Sequence, residues 1–217
     1  MSGKYISLVA GLLFAVASAH AGDWSIGVES GGIHNRYVPD YTQTDGSPSS
    51  QFVNRASGTE FSATAAYRQD VCSRFSMLYQ GRIGYSDARW NLVVPTEPSE
   101  FEYSTSWTWG LSLIPTVKMC RYAKVSLELG LVRGNMSEMK RSSVDSSYDV
   151  DEWVTGYVWG CGLSFPLTER TELTVRYRSI AYENIFFKSY LPDGTHWETI
   201  TDQPTSESYS AGLTYWF

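Results

Sequence analysis

Apolar and polar residues alternate along most of this chain with a period of two, which marks strands that show one greasy face. The last stretch is the clearest case. Tyr209, Ala211, Leu213, Tyr215 and Phe217 share one phase, Ser210, Gly212 and Thr214 the other, and Trp216 is the exception. Seven earlier stretches follow the same rule. They are 24–30, 61–67, 75–86, a stretch carrying Trp107, Trp109, Leu111, Leu113 and Val117, 125–131, 153–165, and one carrying Leu173, Val175 and Tyr177. Pro115 lies within the fourth, where a missing ladder donor predicts a bulge or a strand end. The connections alternate in length. Polar stretches at 35–57, 87–102, 135–151 and 184–205 are long, and those at 69–74, 118–123 and 166–171 are short.

An open edge as apolar as the last strand invites aggregation in water. Closing the sheet removes the edge, and hydrocarbon accepts the greasy face. The pattern therefore predicts an all-β chain: an eight-stranded antiparallel transmembrane β-barrel with short periplasmic turns and long extracellular loops. A soluble sandwich has no reason to alternate loop length so regularly. The apolar stretches come close to the roughly nine to eleven residues that a tilted strand needs to cross a bilayer. Aromatic residues fall at both expected membrane surfaces: Trp24, Phe75, Phe165, Tyr215 and Phe217 at one, Tyr85, Trp107, Trp153 and Tyr209 at the other.

The first residues change the picture in one respect. Lys4, an apolar run from Tyr5 to Ala17, and small residues at Ala19 and Ala21 predict a secretory signal peptide at 1–21, leaving a barrel domain at 22–217. Composition adds little else. The 217 residues are one domain by length, and the formal charge of −6 argues against a nucleic-acid partner. Aromatics make up 15%, with 15 Tyr and 8 Trp, as interfacial girdles would require.

The inward phase of the strands carries Glu29, Glu60, Arg68, Arg82, Glu128, Arg176 and Arg178. Charges inside so narrow a barrel must be paired or wet. The expectation is a Glu–Arg network that plugs the lumen; a gated narrow pore is the alternative. Cys72 and Cys120 fall in neighbouring short turns, so a disulfide between them and two free thiols are both open. Cys161 lies in the lipid-facing phase. Catalytic chemistry has weak candidates only: His34 with Ser86 and Asp87, and His196 with Asp193. No metal-ligand spacing is present, and no cofactor is expected; Asp145, Asp149, Asp151 and Glu152 form an acidic loop able to attract divalent cations.

The terminal strand, with Tyr215 and Phe217, resembles the C-terminal strand of Gram-negative outer-membrane β-barrel proteins, whose assembly machinery reads a final aromatic residue. The whole architecture is similar to the OmpA- and OmpX-like and opacity-porin-like classes. The resemblance implies an outer-membrane location, contact with outer-membrane lipid and lipopolysaccharide, and recognition by the barrel-assembly machinery. It further implies a structural or surface-interaction role in which long loops meet a host or cell-surface ligand. A narrow channel for small solutes is the second reading. A lipid A-modifying enzyme is the third, since palmitoyltransferase and deacylase barrels use His, Ser and an acid near the outer rim. The order and spacing here match neither motif. Omptin-like proteases are larger, ten-stranded barrels.

Overall fold

The computed structural model describes residues 24–43, 53–94, 99–142, 147–191 and 193–217. The stretch read as a signal peptide lies outside them, as do Pro95, Pro98 and Asp145. The elements are β1 (Trp24–Tyr37), β2 (Asp40–Gln43), β3 (Asn54–Cys72), β4 (Phe75–Ser86), β5 (Arg89–Val94), β6 (Ser99–Cys120), β7 (Ala123–Ser142), β8 (Tyr148–Pro166), β9 (Thr171–Tyr182), β10 (Ile185–Tyr190), β11 (His196–Asp202) and β12 (Thr205–Trp216).

Eight of these close a ring in the order β1-β12-β9-β8-β7-β6-β4-β3, with β3 returning to β1. All neighbours in the ring are antiparallel. The turns at one end are tight for local reasons. In the β8–β9 turn, Thr168 Oγ1 accepts the N–H groups of Arg170 and Thr171 at 3.2 and 3.0 Å. Pro115 does not end or bulge β6. It lies opposite Met77, and the register on the β7 side is the same before and after it. The irregularities of β6 fall at Thr105/Thr108 and Lys118/Cys120 instead.

The ring's outer wall is a belt of large apolar side chains. Val28, Leu111, Leu129 and Tyr157 are each at least 60% exposed. No core receives them, so hydrocarbon must.

The long connections are not the irregular loops that their polarity suggests. β6 and β7 stay paired as far as Ser99 and Ser142, and β7 and β8 as far as Lys140 and Tyr148. β5 adds a strand beyond the end of β4, and β10, β11 and β2 form a second sheet of their own. The apolar phase changes face at this level. On β7, Leu127, Leu129 and Leu131 point out, whereas farther along Val132 and Met136 are buried and Arg133 is exposed. Above the belt the outside is water, so the apolar face turns inward. There it meets Tyr37, Tyr103, Tyr148, Tyr182, Phe187 and Ile200 in a conventional hydrophobic core. Within it the Tyr37–Tyr103 rings, 5.1 Å apart, join two wall strands, and the Tyr148–Phe187 rings, 4.8 Å apart, join wall and cap.

A buried acid pair ties the cap sheet to β7. Asp202 Oδ1 accepts the N–H groups of Val38 and Gln203 at 2.7 and 2.8 Å, which favours its charged form. Glu138, 1% exposed, lies by Asp202 with both of its carboxyl oxygens buried. Burial, and then the hydrogen bond that a proton held between the two acids would make and the charge of Asp202, hold the Glu138 carboxyl well above the ordinary carboxylate range. A raised folded-state value means that the folded state binds the extra proton. This contribution to stability is complete below the ordinary carboxylate range and drains away as pH climbs through the raised value. Hydrogen-exchange protection of β10, β11 and β2 is therefore expected to fall between mildly acidic and alkaline buffer. In Glu138→Gln, whose amide donates at every pH, the dependence should disappear. Equal pH dependence in both proteins would refute the shared proton.

Candidate functional site in the lumen

The inward phase of the ring brings seven polar side chains from six strands to one level. Arg178 on β9 donates from Nε to Glu128 Oε2, and its Nη1 forms an ion pair with Glu29 Oε2, both at 2.9 Å. Arg176, two residues earlier and so on the same face, reaches Glu29 Oε1 at 3.2 Å and Glu128 Oε2 at 3.4 Å. Its Nη1 also donates to Gln80 Oε1 at 2.9 Å. Ser112 and Ser210 donate to Glu128 and Glu29. Beside this cluster, Arg82 Nη2 pairs with Glu60 Oε1 at 2.7 Å.

Three carboxylates thus face three guanidiniums, all nearly excluded from solvent; Arg178 is 1% exposed. Such a balance is needed in a low-dielectric interior, where an unpaired charge costs several kcal/mol, about 3–5 when one partner is removed. Glycine makes the room. A Cβ on Gly212 would sit 2.4 Å from the Val28 carbonyl and 2.6 Å from Glu29 Cγ, and one on Gly160 would sit 2.4 Å from the Tyr177 carbonyl.

The lumen is closed again below this layer. Lys124 pairs with Glu172. Trp216, the exception to the terminal alternation, turns inward, and the Arg68 guanidinium lies 4.5 Å over its ring. Arg68 also meets Asp70 at 3.5 Å, so it belongs to this floor rather than to the central network. From floor to cap the fill is an ionic layer at each of two levels, then apolar core. Sequence reasoning put Arg68 and Gln80 on the inner face but did not pick out Ser112, Ser210, the Lys124–Glu172 pair or Trp216 as part of the fill. It also missed Glu138 and Asp202, because both fall where the phase change hides the strands.

Other candidates separate. Cys72, Cys120 and Cys161 are free and exposed, so of the two states left open for Cys72 and Cys120 the structure has the free thiols. The two turns hang from β3 and β6 with β4 between them. Two strand spacings amount to about 10 Å, beyond the roughly 7 Å reach of a disulfide. His34 and Ser86 lie on opposite faces of the wall, His34 exposed and Ser86 buried with its Oγ bonded to the Ala88 N–H. His34 Nδ1 instead meets Ser57 Oγ at 2.9 Å. Glu207 is its register neighbour on the other side but forms no ion pair with it among the described residues. The backbone N–H groups around this pair are committed to the ladder, which leaves none to hold an oxyanion. Asp193 accepts the Thr195 N–H, and His196 Nε2 contacts the Glu198 carbonyl, so these two are not paired. Among the described residues no three His, Cys, Asp or Glu side chains converge as metal ligands. Tyr215 and Phe217 lie on the outer wall in edge contact, with centroids 5.4 Å apart.

No family model matches the chain, and no curated protein matches it in sequence. Solved structures do. The chain is similar to the outer membrane protein OprG from Pseudomonas aeruginosa, with 10% identity and a TM-score of 0.54, covering 91% of this chain and 98% of that one. It is similar to the outer membrane protease OmpT from Escherichia coli, with 9% identity and a TM-score of 0.51, covering 90% and 97%. Neisserial surface protein A aligns over 89% and 97% with 15% identity and a TM-score of 0.49. With the closed ring and its apolar belt, the first two likenesses give the fold: the chain is a closed antiparallel β-barrel of the kind seen in small Gram-negative outer-membrane proteins.

Proposed function

We propose that this barrel is a sealed, non-enzymatic scaffold whose role is structural or surface-interacting and is carried by its extracellular face. The observation that carries the reading is the filled interior. The Glu29–Arg178–Glu128 layer crosses the lumen from β1 through β9 to β7, and the core around Tyr37 and Ile200 sits on top of it. A solute would have to break several buried charge contacts and then displace packed aromatic rings. The outward side of the cap supports a surface role, because Phe186 is 65% exposed there, well away from the lipid belt. Lipopolysaccharide and a host or cell-surface ligand are the partners this reading favours, with the assembly machinery engaging Tyr215 and Phe217.

Planar-bilayer recording of the folded chain tests the sealed lumen. The expected trace is flat at physiological voltages and moderate salt. A long-lived, ohmic open state in the native protein would replace this reading with that of a narrow channel.

A further inference from the structure

The outer wall over β1, β3, β4 and β6 combines two features that a lipid-facing surface does not require. Just above the belt, Arg36 of β1 and Arg55 of β3 are direct cross-strand partners, and Ser57 of β3 faces Arg89 of β5. All three arginines are exposed. Like charges placed directly opposite each other destabilise a sheet. Among the described residues no carboxylate ion-pairs with any of the three. His34 adjoins them through its bond to Ser57. The nearest acids by register are Glu207, opposite His34, Glu102, two residues from the Ser104 that faces Arg89, and Asp87, whose Oδ1 accepts the Thr59 N–H at 2.6 Å.

Below this cluster the same wall is grooved. A hollow of about 340 Å³ is lined by Val28, Phe61, Ala63, Ile83, Tyr85 and Trp107. Between groove and cluster the surface is flat: Gly32 faces outward with nothing within 4 Å of where a Cβ would stand. Arg55 and Phe61 are six residues apart on one strand. That is about 20 Å along the strand, or about 15 Å along the membrane normal at a tilt of roughly 40°.

We propose that this wall docks one phosphorylated, multiply acylated lipid of the outer leaflet, with the guanidiniums of Arg36, Arg55 and Arg89 on its phosphates and an acyl chain along the groove. Charge complementarity selects the headgroup, since guanidinium pairs hold phosphate oxygens in forked hydrogen bonds. The Arg36–Arg55 pair gains a counter-charge that none of the described carboxylates supplies. The inference rests on the outer-membrane reading for the direction of the barrel, and not on whether the lumen conducts.

Native mass spectrometry of the full-length barrel folded in detergent tests it, with hexa-acylated lipid A, its dephosphorylated form and phosphatidylethanolamine as probes. The expected result is one lipid A retained, and both other lipids retained at least about tenfold less. The Arg36→Gln/Arg55→Gln/Arg89→Gln variant, first shown to be folded by its heat-dependent gel mobility, should lose that retention. Arg170→Gln, in the β8–β9 turn at the other end of the barrel, should keep it. Equal binding of the dephosphorylated lipid, or an equal loss in Arg170→Gln, overturns the proposal. Neither result would alter the conductance trace, so a failure here is distinct from a failure of the sealed-lumen reading.

Discussion

Replacing Arg178 with Met is expected to lower the unfolding free energy of the detergent-folded barrel by about 3–5 kcal/mol, the cost of leaving buried charge without its partner. Arg178 is the junction of the central layer, at 2.9 Å from both Glu29 and Glu128. Without it three carboxylates face two guanidiniums, and Arg176 cannot serve both acids at its longer distances of 3.2 and 3.4 Å. Urea titration followed by tryptophan fluorescence reads the loss. Adding Glu128→Gln should recover part of it, because the surplus charge goes with the acid, and the double-mutant cycle isolates the coupling. The Asp70→Asn variant is the contrast. Its side chain is 65% exposed, so breaking its contact with Arg68 should cost under about 1 kcal/mol. A loss that small at Arg178 would mean that water, not guanidinium, solvates these acids.

The second large effect is expected on the outside. Leu129 is 60% exposed on β7. In water an exposed Leu→Arg change lies within about 0.5 kcal/mol of neutral. At the middle of a bilayer it costs about 2–4 kcal/mol. Leu129→Arg should show the larger figure in lipid vesicles, whereas Ser137→Arg, eight residues along the same strand and above the belt, should show almost none. Equal effects at the two positions would place both in the same solvent.

The contrast between these positions also explains what could be read from the sequence. Within the belt the two faces of a strand meet different media, so Val125 to Leu131 alternates cleanly and the eight spanning segments stand out. The charged inner residues followed from the same phase, and six of the seven meet in one layer or its neighbour. Beyond Leu131 the alternation persists, but its sense reverses. Arg133 and Ser137 point out, while Val132 and Met136 point in. A reader who tracks one greasy phase sees it stop there and takes the rest for loop. The cap sheet was hidden for the same reason: Ile185, Phe187 and Ile200 alternate in a region of polar composition. Arg68, read as inward, lies in the floor rather than in the central network, and Trp216 was not read as inward at all. Both obey or break the phase at a barrel end, where the partner strand rather than the local pattern decides which way a side chain turns. The arginine cluster could not be assembled from sequence at all, because Arg36, Arg55 and Arg89 meet only through the β1–β3–β5 register.

Collision accessibility of nitroxides placed singly along β7, in vesicles and on a background with Cys72, Cys120 and Cys161 changed to Ser, tests the central claim most directly. The outward positions Leu127, Leu129 and Leu131 should relax with oxygen and not with a water-soluble nickel chelate. The inward positions Ser126 and Val132 should be shielded from the chelate as well. Free access of nickel at the inward positions would reveal an open aqueous lumen, and free access at the outward ones would show that this wall never met lipid.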